Sequence, residues 1–282
     1  MTGPDFVVFT DLDGTLLDHA TYDWGPALPA LSQLRALSIP VVLSSSKTAA
    51  EIAPIRAKLR LSSYPAIVEN GAGILGPNAQ PTDAGEDYAR LRAALDTLPP
   101  RLRNCFHGFG DWDDEEVIIQ TGLAPDAAKQ ARQRAFSEPG LWSGSRADRE
   151  AFIAALGAHG ISARRGGRFL TLSFGGTKAD RMAEVLDSLR PKDGPAPMSV
   201  ALGDAPNDVE MLNAATVGII IANPNAQELP VLAGERDGHI RRSTKSGPSG
   251  WNEMMLALVS ELSQDERAPD GGEQGDTSQG LH

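Results

Sequence analysis

The sequence predicts an α/β protein in which a second domain is inserted into a parallel sheet. Apolar segments of strand length alternate with segments that carry apolar residues at helical spacing, which favours a parallel sheet with right-handed crossovers. This pattern stops near Gly76, gives way to helices with a few strands, and returns after Gly175. We therefore predict a core of residues 1–76 and 176–262, an inserted second domain of residues 77–175, named the cap below, and a disordered acidic tail of residues 263–282.

The first core segment is predicted to alternate strands with helices. In chain order it contains a strand over 6–10, a helix over 25–37, a strand over 39–43, a helix over 48–59 and a strand over 65–68. Leucines recur at every third position of the first helix, which predicts one shared face for Leu28, Leu31, Leu34 and Leu37. Pro54 should kink or split the second helix, because proline removes a backbone donor.

The cap and the second core segment are interpreted in the same way. The cap is predicted to contain helices over 86–98, 113–122, 125–136 and 147–158, and strands over 161–164 and 168–172. Asp113 with Glu116 predicts a capping box, and Gly166-Gly167 predicts the turn between the strands. The second core segment is predicted to contain a helix over 177–189, a strand over 198–203, a helix over 208–214, a strand over 217–222 and a helix over 251–262.

The composition is that of an ordinary globular protein, with 282 residues, 41% hydrophobic and 22% charged. The net charge of −11 argues against a nucleic-acid or membrane-surface partner, since both favour basic patches. The single Cys105 excludes an internal disulfide and a cysteine-built zinc site. Because the sequence has neither a long apolar run nor a basic segment followed by an apolar one at its start, we expect a cytoplasmic protein without a transmembrane helix or signal peptide.

Polar residues follow three of the predicted strands at the point where each strand ends. Asp11 and Asp13 follow the first strand, Ser45 follows the second, and Asp204 follows the strand over 198–203. Ligands of open α/β sheets lie outside the carboxyl ends of the strands, so we expect these side chains to converge. Asp11 and Asp13 can face the same space, where two buried like charges are unfavourable unless a cation joins them.

These side chains predict a magnesium site. Asp11, Asp204 and the backbone carbonyl of Asp13 form an all-oxygen set, which suits Mg²⁺. Asp208 fits either as a ligand or in the shell outside the ligands. The predicted metal-binding residues are therefore Asp11, Asp13, Asp204 and Asp208.

The same residues predict phosphoryl transfer through an aspartyl-phosphate. Asp11 is the predicted nucleophile, because a carboxylate that attacks phosphorus divides one difficult displacement into two easier ones. Asp13 is the predicted acid and base, which protonates the leaving alcohol and later activates water. Ser45 is expected to bind a phosphate oxygen, and Lys178 to hold the phosphoryl group beside the nucleophile. Taken singly, Ser45 is more typical of a helix cap and Lys178 of a surface lysine; only their positions relative to the aspartates favour the catalytic roles.

Two stretches and two single residues match known motifs. They are Asp11-Leu12-Asp13-Gly14-Thr15, Gly203-Asp204-Ala205-Pro206-Asn207-Asp208, Ser45 and Lys178. In these stretches the chain resembles the haloacid dehalogenase superfamily of phosphohydrolases, and the resemblance extends to about Leu262. It implies a Rossmann-like core, Mg²⁺ as cofactor, and an inserted α/β (C2-type) cap that closes over a small phosphorylated molecule. Glu69-Asn70-Gly71-Ala72 resembles the branch of the superfamily that carries this cap.

Within the superfamily, stretches of the chain resemble the mannosyl-3-phosphoglycerate phosphatase family. The stretches are Ser45-Ser46-Lys47-Thr48, Gly108-Phe109-Gly110-Asp111, Thr121-Gly122-Leu123, Arg134-Ala135-Phe136-Ser137-Glu138-Pro139 and Gly166-Gly167-Arg168-Phe169. The implied substrate carries a phosphate, a carboxylate and a sugar. We expect Arg134 and Arg168 to bind its anionic groups, and Glu138 or Asp111 to accept its hydroxyls. The predicted substrate-binding residues are Ser45, Ser46, Lys47, Glu69, Asn70, Gly71, Arg134, Glu138, Arg168 and Asn207.

The resemblance implies hydrolysis of mannosyl-3-phosphoglycerate to phosphate and mannosylglycerate, a compatible solute. The alternative substrates are glucosyl-3-phosphoglycerate or another sugar phosphate. The alternative reaction is that of a phosphomutase or phosphotransferase with the same aspartyl-phosphate. The complete set of catalytic residues disfavours a third function, that of a non-catalytic sensor of phosphorylated ligands. The expected partner is a small phosphorylated sugar–glycerate, with no nucleic acid and no membrane, and the sequence leaves the oligomeric state open.

Overall fold

The computed structural model describes residues 4–81 and 85–265 of the chain. In chain order its strands are β1 (Phe6–Thr10), β2 (Val41–Ser44), β3 (Ala66–Val68), β4 (Gly73–Leu75), β5 (Phe106–Gly108), β6 (Ser137–Trp142), β7 (Ser162–Gly166), β8 (Phe169–Ser173), β9 (Met198–Gly203), β10 (Val217–Ala222) and β11 (Ile240–Ser246). Its α-helices are α1 (Leu28–Ala36), α2 (Ala49–Lys58), α3 (Glu86–Asp96), α4 (Pro100–Arg103), α5 (Asp114–Thr121), α6 (Pro125–Arg132), α7 (Arg146–Gly157), α8 (Lys178–Leu189), α9 (Val209–Ala214), α10 (Ala233–Arg236) and α11 (Gly247–Asp265).

The larger sheet brings the polar strand ends together. Its order is β11-β10-β9-β1-β2-β3-β4, and every neighbouring pair is parallel except β3 with β4. β1 lies between β9 and β2, with Val8 opposite both Val200 and Val41. The carboxyl ends of these three neighbouring strands therefore meet at one edge, where a ligand of such a sheet is expected.

β1 is buried on both faces. Val8 packs in the layer that contains Trp251 of α11, whereas Phe9 packs in the opposite layer with Met182 of α8. A strand that is covered on both sides has a continuous apolar sequence, as this one does. The indole Nε1 of Trp251 donates a hydrogen bond to Thr10 Oγ1 at 3.0 Å, which fixes α11 against the residue that precedes Asp11.

The smaller sheet is antiparallel and has the order β5-β6-β8-β7. Phe106, Phe152 and Leu172 are fully buried in the core between this sheet and its helices. We keep the name cap for the part that runs from α3 to β8, which lies inside the range predicted for that domain. The predicted domain boundaries themselves stay a prediction.

Two helices of the core differ from the prediction. Leu31 and Leu34 of α1 are buried, but Leu28 and Leu37 are 48% and 51% exposed. The reason is that positions three apart drift by about 60° around an α-helix, so four of them do not share one face. The helix α2 continues through Pro54 and is not split.

The segment around 137–142 was missed by the sequence analysis, which extended a helix to residue 136. The helix α6 ends at Arg132, and β6 follows. Pro139 is tolerated in β6 because β5 ends opposite Gly140, so no strand pairs with Pro139 on that side. Gly140 is required for space, since a Cβ there would lie 2.4 Å from the ring of Phe106.

The end of the chain differs in part from the prediction. The helix α11 continues to Asp265, so residues 263–265 are helical and do not belong to a disordered tail. The predicted tail from 266 onward lies outside the described residues. Among the described residues, no helix combines the length and the hydropathy that a membrane span requires.

Candidate active site

Lys178 lies at the centre of a buried ion cluster at the carboxyl edge of the larger sheet. It is the first residue of α8, and Thr177 caps that helix. Its Nζ donates to Asp11 Oδ1 at 2.6 Å, to Asp208 Oδ1 at 2.7 Å and to the carbonyl oxygen of Ser44 at 2.9 Å. All three ammonium hydrogens therefore have acceptors, which holds Lys178 directly beside Asp11.

Asp204 follows β9 and is oriented by two side chains. Its Oδ1 accepts a hydrogen bond from Thr15 Oγ1 at 2.7 Å, and its Oδ2 accepts one from Asn223 Nδ2 at 2.7 Å. Gly14 allows this approach, because its φ is +85° and a Cβ there would lie 2.3 Å from Asn223 Nδ2. The glycine between Asp13 and Thr15 thus makes room for the partners of Asp204.

Asp208 connects the turn after β9 to Lys178. Its Oδ2 accepts hydrogen bonds from the backbone nitrogens of Asp204 and Ala205, both at 3.1 Å. Its Oδ1 faces Lys178, and the side chain is fully buried. Gly203 is required at this point, since a Cβ there would lie 2.5 Å from Asp208.

The charges in this cluster shift one another's pKa values. Burial raises the pKa of Asp11 well above its usual range, and the nearby charge of Asp208 adds to this effect, although Lys178 opposes it. Burial also raises the pKa of Asp204. Burial by itself would lower the pKa of Lys178, but Asp11 and Asp208 outweigh that effect and raise it overall. The positive charge of Lys178 is therefore too small to balance the neighbouring carboxylates, and Lys178 itself stays protonated.

The donor set fits a divalent cation. Asp11, Asp204 and Asp208 each offer a carboxylate oxygen, and these atoms lie within 4.8 Å of one another. Three carboxylates against one lysine leave an excess of two negative charges when all are ionised. Oxygen ligands and this charge match Mg²⁺, while Thr15 and Asn223 supply the outer contacts that orient a ligating carboxylate.

Asp13 lies at the same edge but outside that set of three carboxylates. Its Oδ2 pairs with Lys47 Nζ at 2.8 Å, whereas its Oδ1 is buried and has no hydrogen-bond partner among the described residues. Burial alone would lower the pKa of Lys47, but the charge of Asp13 outweighs it and raises that pKa. The ammonium of Lys47 also lies 5.2 Å from the centre of the Tyr22 ring.

Ser45 directly follows β2 and is almost fully buried. It is not the helix cap, because Thr48 forms the capping box of α2 with Glu51. The Oγ of Ser45 accepts a long hydrogen bond of 3.3 Å from the backbone nitrogen of Lys47. Its hydroxyl is therefore available to donate to a ligand at the sheet edge.

A cavity of about 770 Å³ lies between the cap and this edge. Core residues among its lining include Ser46, Lys47, Asn70, Lys178 and Asn207. From the cap, the lining includes Phe109, Arg134, Pro139, Arg164, Arg165, Phe169 and Thr171. Five basic side chains line the cavity against three acidic ones, which favours an anionic ligand.

Glu69 lines this cavity, but its carboxylate is not free to bind a substrate. The side chain is 0% exposed. Its oxygens accept hydrogen bonds from the backbone nitrogens of Ala135 and Ser137 at 2.9 and 2.7 Å, and from Ser137 Oγ at 2.7 Å. The predicted substrate contact is therefore wrong for Glu69, because the cap backbone occupies its acceptors.

The two residues after Glu69 have different roles. Asn70 accepts a hydrogen bond from Asn207 Nδ2 at 3.1 Å, and both asparagines line the cavity, where a substrate contact stays a prediction. Gly71 instead packs against the start of α8. Its φ is +90°, and a Cβ there would lie 2.1 Å from the carbonyl carbon of Thr177. Gly71 is therefore needed for close packing, and it does not line the cavity.

Glu138 and Asp111 were predicted to accept sugar hydroxyls, and the structure contradicts this. Both belong to an ion cluster within the cap, in which Glu138 is buried and Asp111 lies at the surface, and neither lines the cavity. Glu138 accepts hydrogen bonds from three groups: Arg92 Nη1 at 2.6 Å, Tyr88 Oη at 2.8 Å and Gly110 N at 2.9 Å. Asp111 accepts from Arg92 Nη2 at 2.6 Å and Arg103 Nη2 at 2.7 Å. Their acceptors are consumed within the cap, as the sequence alone does not reveal.

The arginines of the cap are also distributed differently from the prediction. Arg134 is buried and lines the cavity, as a substrate contact requires. Arg168 is exposed and does not line the cavity; its guanidinium lies 5.1 Å from the centre of the Phe169 ring. Arg164 and Arg165 on the same hairpin line the cavity instead. The position of Arg168 does not support the predicted substrate contact, whereas Arg164 and Arg165 are placed where a ligand in the cavity could reach them.

Two further residues of the site were missed. Thr15 lies within the Asp-x-Asp-Gly-Thr motif, and Asn223 directly follows β10. Both are polar residues placed just beyond a strand of the parallel sheet. The rule that identified Asp11, Ser45 and Asp204 would have identified Asn223 as well.

Comparisons with known proteins agree with this architecture. Residues 8–86 match the family model described as haloacid dehalogenase-like hydrolase. The matched part contains Asp11, Asp13 and Ser45, so the similarity includes two of the strand ends that form the candidate site.

Solved structures share the fold over nearly the whole chain. A phosphatase of the haloalkanoate superfamily from Bacteroides thetaiotaomicron is 18% identical, with a TM-score of 0.61 and coverage of 90% of this chain and 94% of the other. A haloacid dehalogenase-like hydrolase from B. subtilis is 20% identical, with a TM-score of 0.60 and coverage of 90% and 99%. The sucrose-phosphatase from Synechocystis sp., solved with sucrose and phosphate, is 14% identical, with a TM-score of 0.55 and coverage of 92% and 98%.

Proposed function

We propose that this chain is a Mg²⁺-dependent phosphatase that hydrolyses a phosphate monoester of a small sugar derivative. The observation that carries the proposal is the contact of 2.6 Å between Lys178 and Asp11, in a cluster with Asp204 and Asp208 beside a basic cavity. This arrangement combines a carboxylate nucleophile, a fixed cation and an oxygen-rich site for a metal ion. The haloacid dehalogenase-like core supports the same reaction class.

In the proposed reaction Asp11 attacks the phosphorus of the substrate. A bond forms between a carboxylate oxygen and phosphorus while the bond from phosphorus to the alcohol oxygen breaks. The leaving oxygen takes a proton from Asp13, for which we assign Oδ1, because Oδ2 is paired with Lys47. Water then attacks the aspartyl-phosphate, gives a proton to Asp13, and releases phosphate and free Asp11.

The remaining residues hold the reacting groups. Lys178 keeps Asp11 in place and offers positive charge to the phosphoryl oxygens. Ser45 donates its hydroxyl to one of these oxygens. Mg²⁺, held by Asp11, Asp204, Asp208 and the backbone carbonyl of Asp13, would supply further positive charge to the phosphoryl oxygens.

We further propose mannosyl-3-phosphoglycerate as the substrate, with mannosylglycerate as the second product. Its phosphate, carboxylate and sugar are compatible with a cavity of about 770 Å³ that is lined by Arg134, Arg164 and Arg165. The sequence resemblance around residues 45–48 and in the cap favours the same substrate. Glucosyl-3-phosphoglycerate and other sugar phosphates are the alternatives.

A substrate panel tests both levels of the proposal. Phosphate release should require Mg²⁺, stop with EDTA, and be fastest with mannosyl-3-phosphoglycerate among glycosyl-3-phosphoglycerates and hexose phosphates. Faster turnover of simple hexose phosphates would contradict the specific substrate. In ¹⁸O-labelled water the released phosphate should carry one labelled oxygen, because water attacks the phosphorus of the aspartyl-phosphate. Transfer of the phosphoryl group to a second sugar, with little release of phosphate, would instead indicate a phosphotransferase.

A further inference from the structure

Glu69 contacts two parts of the site at once, the loop after β2 and the cap. Its backbone nitrogen donates to the carbonyl oxygen of Lys47 at 2.9 Å, and the next backbone nitrogen, that of Asn70, donates to the carbonyl oxygen of Ser45 at 2.9 Å. Its side chain, by contrast, reaches the cap. The same residue therefore joins the Ser45–Lys47 loop of the core to the beginning of β6.

The carboxylate of Glu69 lies among donors of the cap backbone. The backbone nitrogens of Ala135, Phe136 and Ser137 point at its two oxygens, at 2.9, 3.3 and 2.7 Å. Hydrogen bonds from several amides to one ionised carboxylate are strong, and their geometry is demanding. The core carboxylate thus fixes the position of three consecutive residues in the cap.

The backbone of Glu69 adopts a conformation that non-glycine residues rarely take. Its φ is +53°, and Asn70 follows with a φ of +58°. Such conformations cost free energy and persist where the surrounding contacts enforce them. Here the turn directs the Glu69 side chain away from the larger sheet and toward β6, which an extended residue at this position would not do.

Arg134 is oriented by Glu69 and Ser137. Its Nε lies 3.3 Å from Glu69 Oε2, and its Nη2 donates to Ser137 Oγ at 2.8 Å. Ser137 Oγ in turn donates to Glu69 Oε2 at 2.7 Å. The guanidinium is buried and lines the cavity, and none of the described residues accepts a hydrogen bond from its Nη1. One face of Arg134 is thus held by the protein, and the other is open to a ligand.

We propose that Glu69 is a positioning residue, which holds Arg134 in the cavity so that it binds a second anionic group of the substrate. The proposal rests on the proposed phosphatase function, because the phosphate of the substrate is expected at Asp11 and Lys178. The second group is a carboxylate or a comparable anion, since Arg134 presents a planar fork of donors that suits it. Glu69 does not contact the substrate and acts through Arg134.

The test compares two substrates. Mannosyl-3-phosphoglycerate carries a carboxylate besides its phosphate, whereas p-nitrophenyl phosphate carries only the phosphate. The measured quantity is the ratio of kcat/KM for the first substrate to kcat/KM for the second. Glu69→Gln should lower this ratio by about tenfold, mainly through a higher KM for the first substrate. Arg134→Gln should lower it at least as much.

A variant with both substitutions shows whether Glu69 acts through Arg134 or independently of it. Because Glu69 acts through Arg134, Glu69→Gln combined with Arg134→Gln should lower the ratio no further than Arg134→Gln alone. Glu138→Gln is the matched control: it removes another fully buried carboxylate, but one that does not contact Arg134. It should leave the ratio within about twofold of the unmodified protein.

Ser137→Ala is the substitute variant if Glu69→Gln does not fold. It removes the hydroxyl that joins Glu69 to Arg134 and keeps both charged groups, and it should lower the ratio in the same direction. The positioning role would be overturned if the ratio does not change in Glu69→Gln, or in Ser137→Ala where that variant replaces it. It would also be overturned if the effects of the two substitutions add in the double variant, or if both substrates lose activity equally.

The two levels of the proposal fail in different ways. If the unmodified protein releases no phosphate from either substrate, the phosphatase function fails and the role of Glu69 fails with it. If it releases phosphate but the ratio does not respond to Arg134→Gln or Glu69→Gln, only the positioning role fails.

Discussion

Two clusters of carboxylates among the described residues differ in burial and in their balance of charge. The cluster at the sheet edge has three carboxylates and one cation: Asp11, Asp204, Asp208 and Lys178. The cluster in the cap has two carboxylates and two cations: Glu138, Asp111, Arg92 and Arg103. Both are well hydrogen-bonded, so hydrogen bonding alone does not distinguish a functional site from a structural cluster.

The pKa values of two aspartates express this difference. Burial raises the pKa of Asp11 well above its usual range, because one lysine does not compensate for the neighbouring carboxylates. Burial acts in the same direction on Asp111, but hydrogen bonds from Arg103, Gly108 and Arg92 outweigh it and lower its pKa to about 2. Burial also raises the pKa of Glu138 in the cap, although Arg92 opposes it, so a raised pKa alone does not mark the site. The excess of negative charge around Asp11 distinguishes the site that calls for a cation from the balanced cluster of the cap.

The largest expected effect is that of Asp11→Asn. The variant lacks the nucleophile, so kcat for phosphate release should fall by at least about 10³-fold. The fold should persist, because the substitution removes one negative charge from a cluster that has an excess of negative charge. Circular dichroism and thermal unfolding check the fold beside the kinetic assay. Retained turnover in Asp11→Asn would contradict the assignment of the nucleophile.

Glu138→Gln should have the opposite profile. It breaks charge-assisted hydrogen bonds to Arg92 and Gly110, which should lower the free energy of unfolding by about 2 kcal/mol. Turnover per folded molecule should stay close to that of the unmodified protein, because Glu138 does not line the cavity. Urea unfolding and kcat measured on the same preparation check this. A large loss of kcat with unchanged stability would show that the cap cluster belongs to the site.

The pH dependence of stability should reveal Asp111. Because its pKa is lowered in the folded chain, its contribution is present above about pH 4 and is lost as the pH falls toward about 2. Urea unfolding between these pH values should show a loss that is about 1 kcal/mol smaller in Asp111→Asn than in the unmodified protein, because solvent screens the partly exposed carboxylate. Asp126→Asn, at an exposed position in the first turn of α6, is the control and should follow the unmodified protein. Equal losses in all three proteins would mean that Asp111 is not stabilised by its arginines.

The sequence predicted the sheet edge well because that part of the fold follows from local patterns. Strands such as β1 and β9 are buried on both faces and therefore appear as continuous apolar segments. The residue after each such strand lies at the carboxyl edge, so the positions of Asp11 and Asp204 follow from the strand pattern alone. Their orientation by Thr15 and Asn223 depends on contacts between distant segments, which no local pattern contains.

The cap was predicted less well for the same reason. Glu69 and Glu138 were predicted to contact the substrate, because a sequence motif does not show whether a polar side chain faces a cavity or the protein backbone. Arg168 and Arg165 lie three residues apart on one hairpin, and only the packing of that hairpin decides which of them lines the cavity. The strand β6 was missed since Pro139 and Gly140 disfavour a strand locally, although the short partner β5 and the ring of Phe106 accommodate both.

The most direct test of the charge comparison is thermal unfolding with and without Mg²⁺. If the excess charge around Asp11, Asp204 and Asp208 binds the ion, Mg²⁺ at ten times its Kd should stabilise the folded chain by about 1.4 kcal/mol, and the Tm should rise accordingly. Asp204→Asn should lose this rise, whereas Glu138→Gln should keep it. A Tm that does not respond to millimolar Mg²⁺, or an equal rise in Asp204→Asn, would contradict the account.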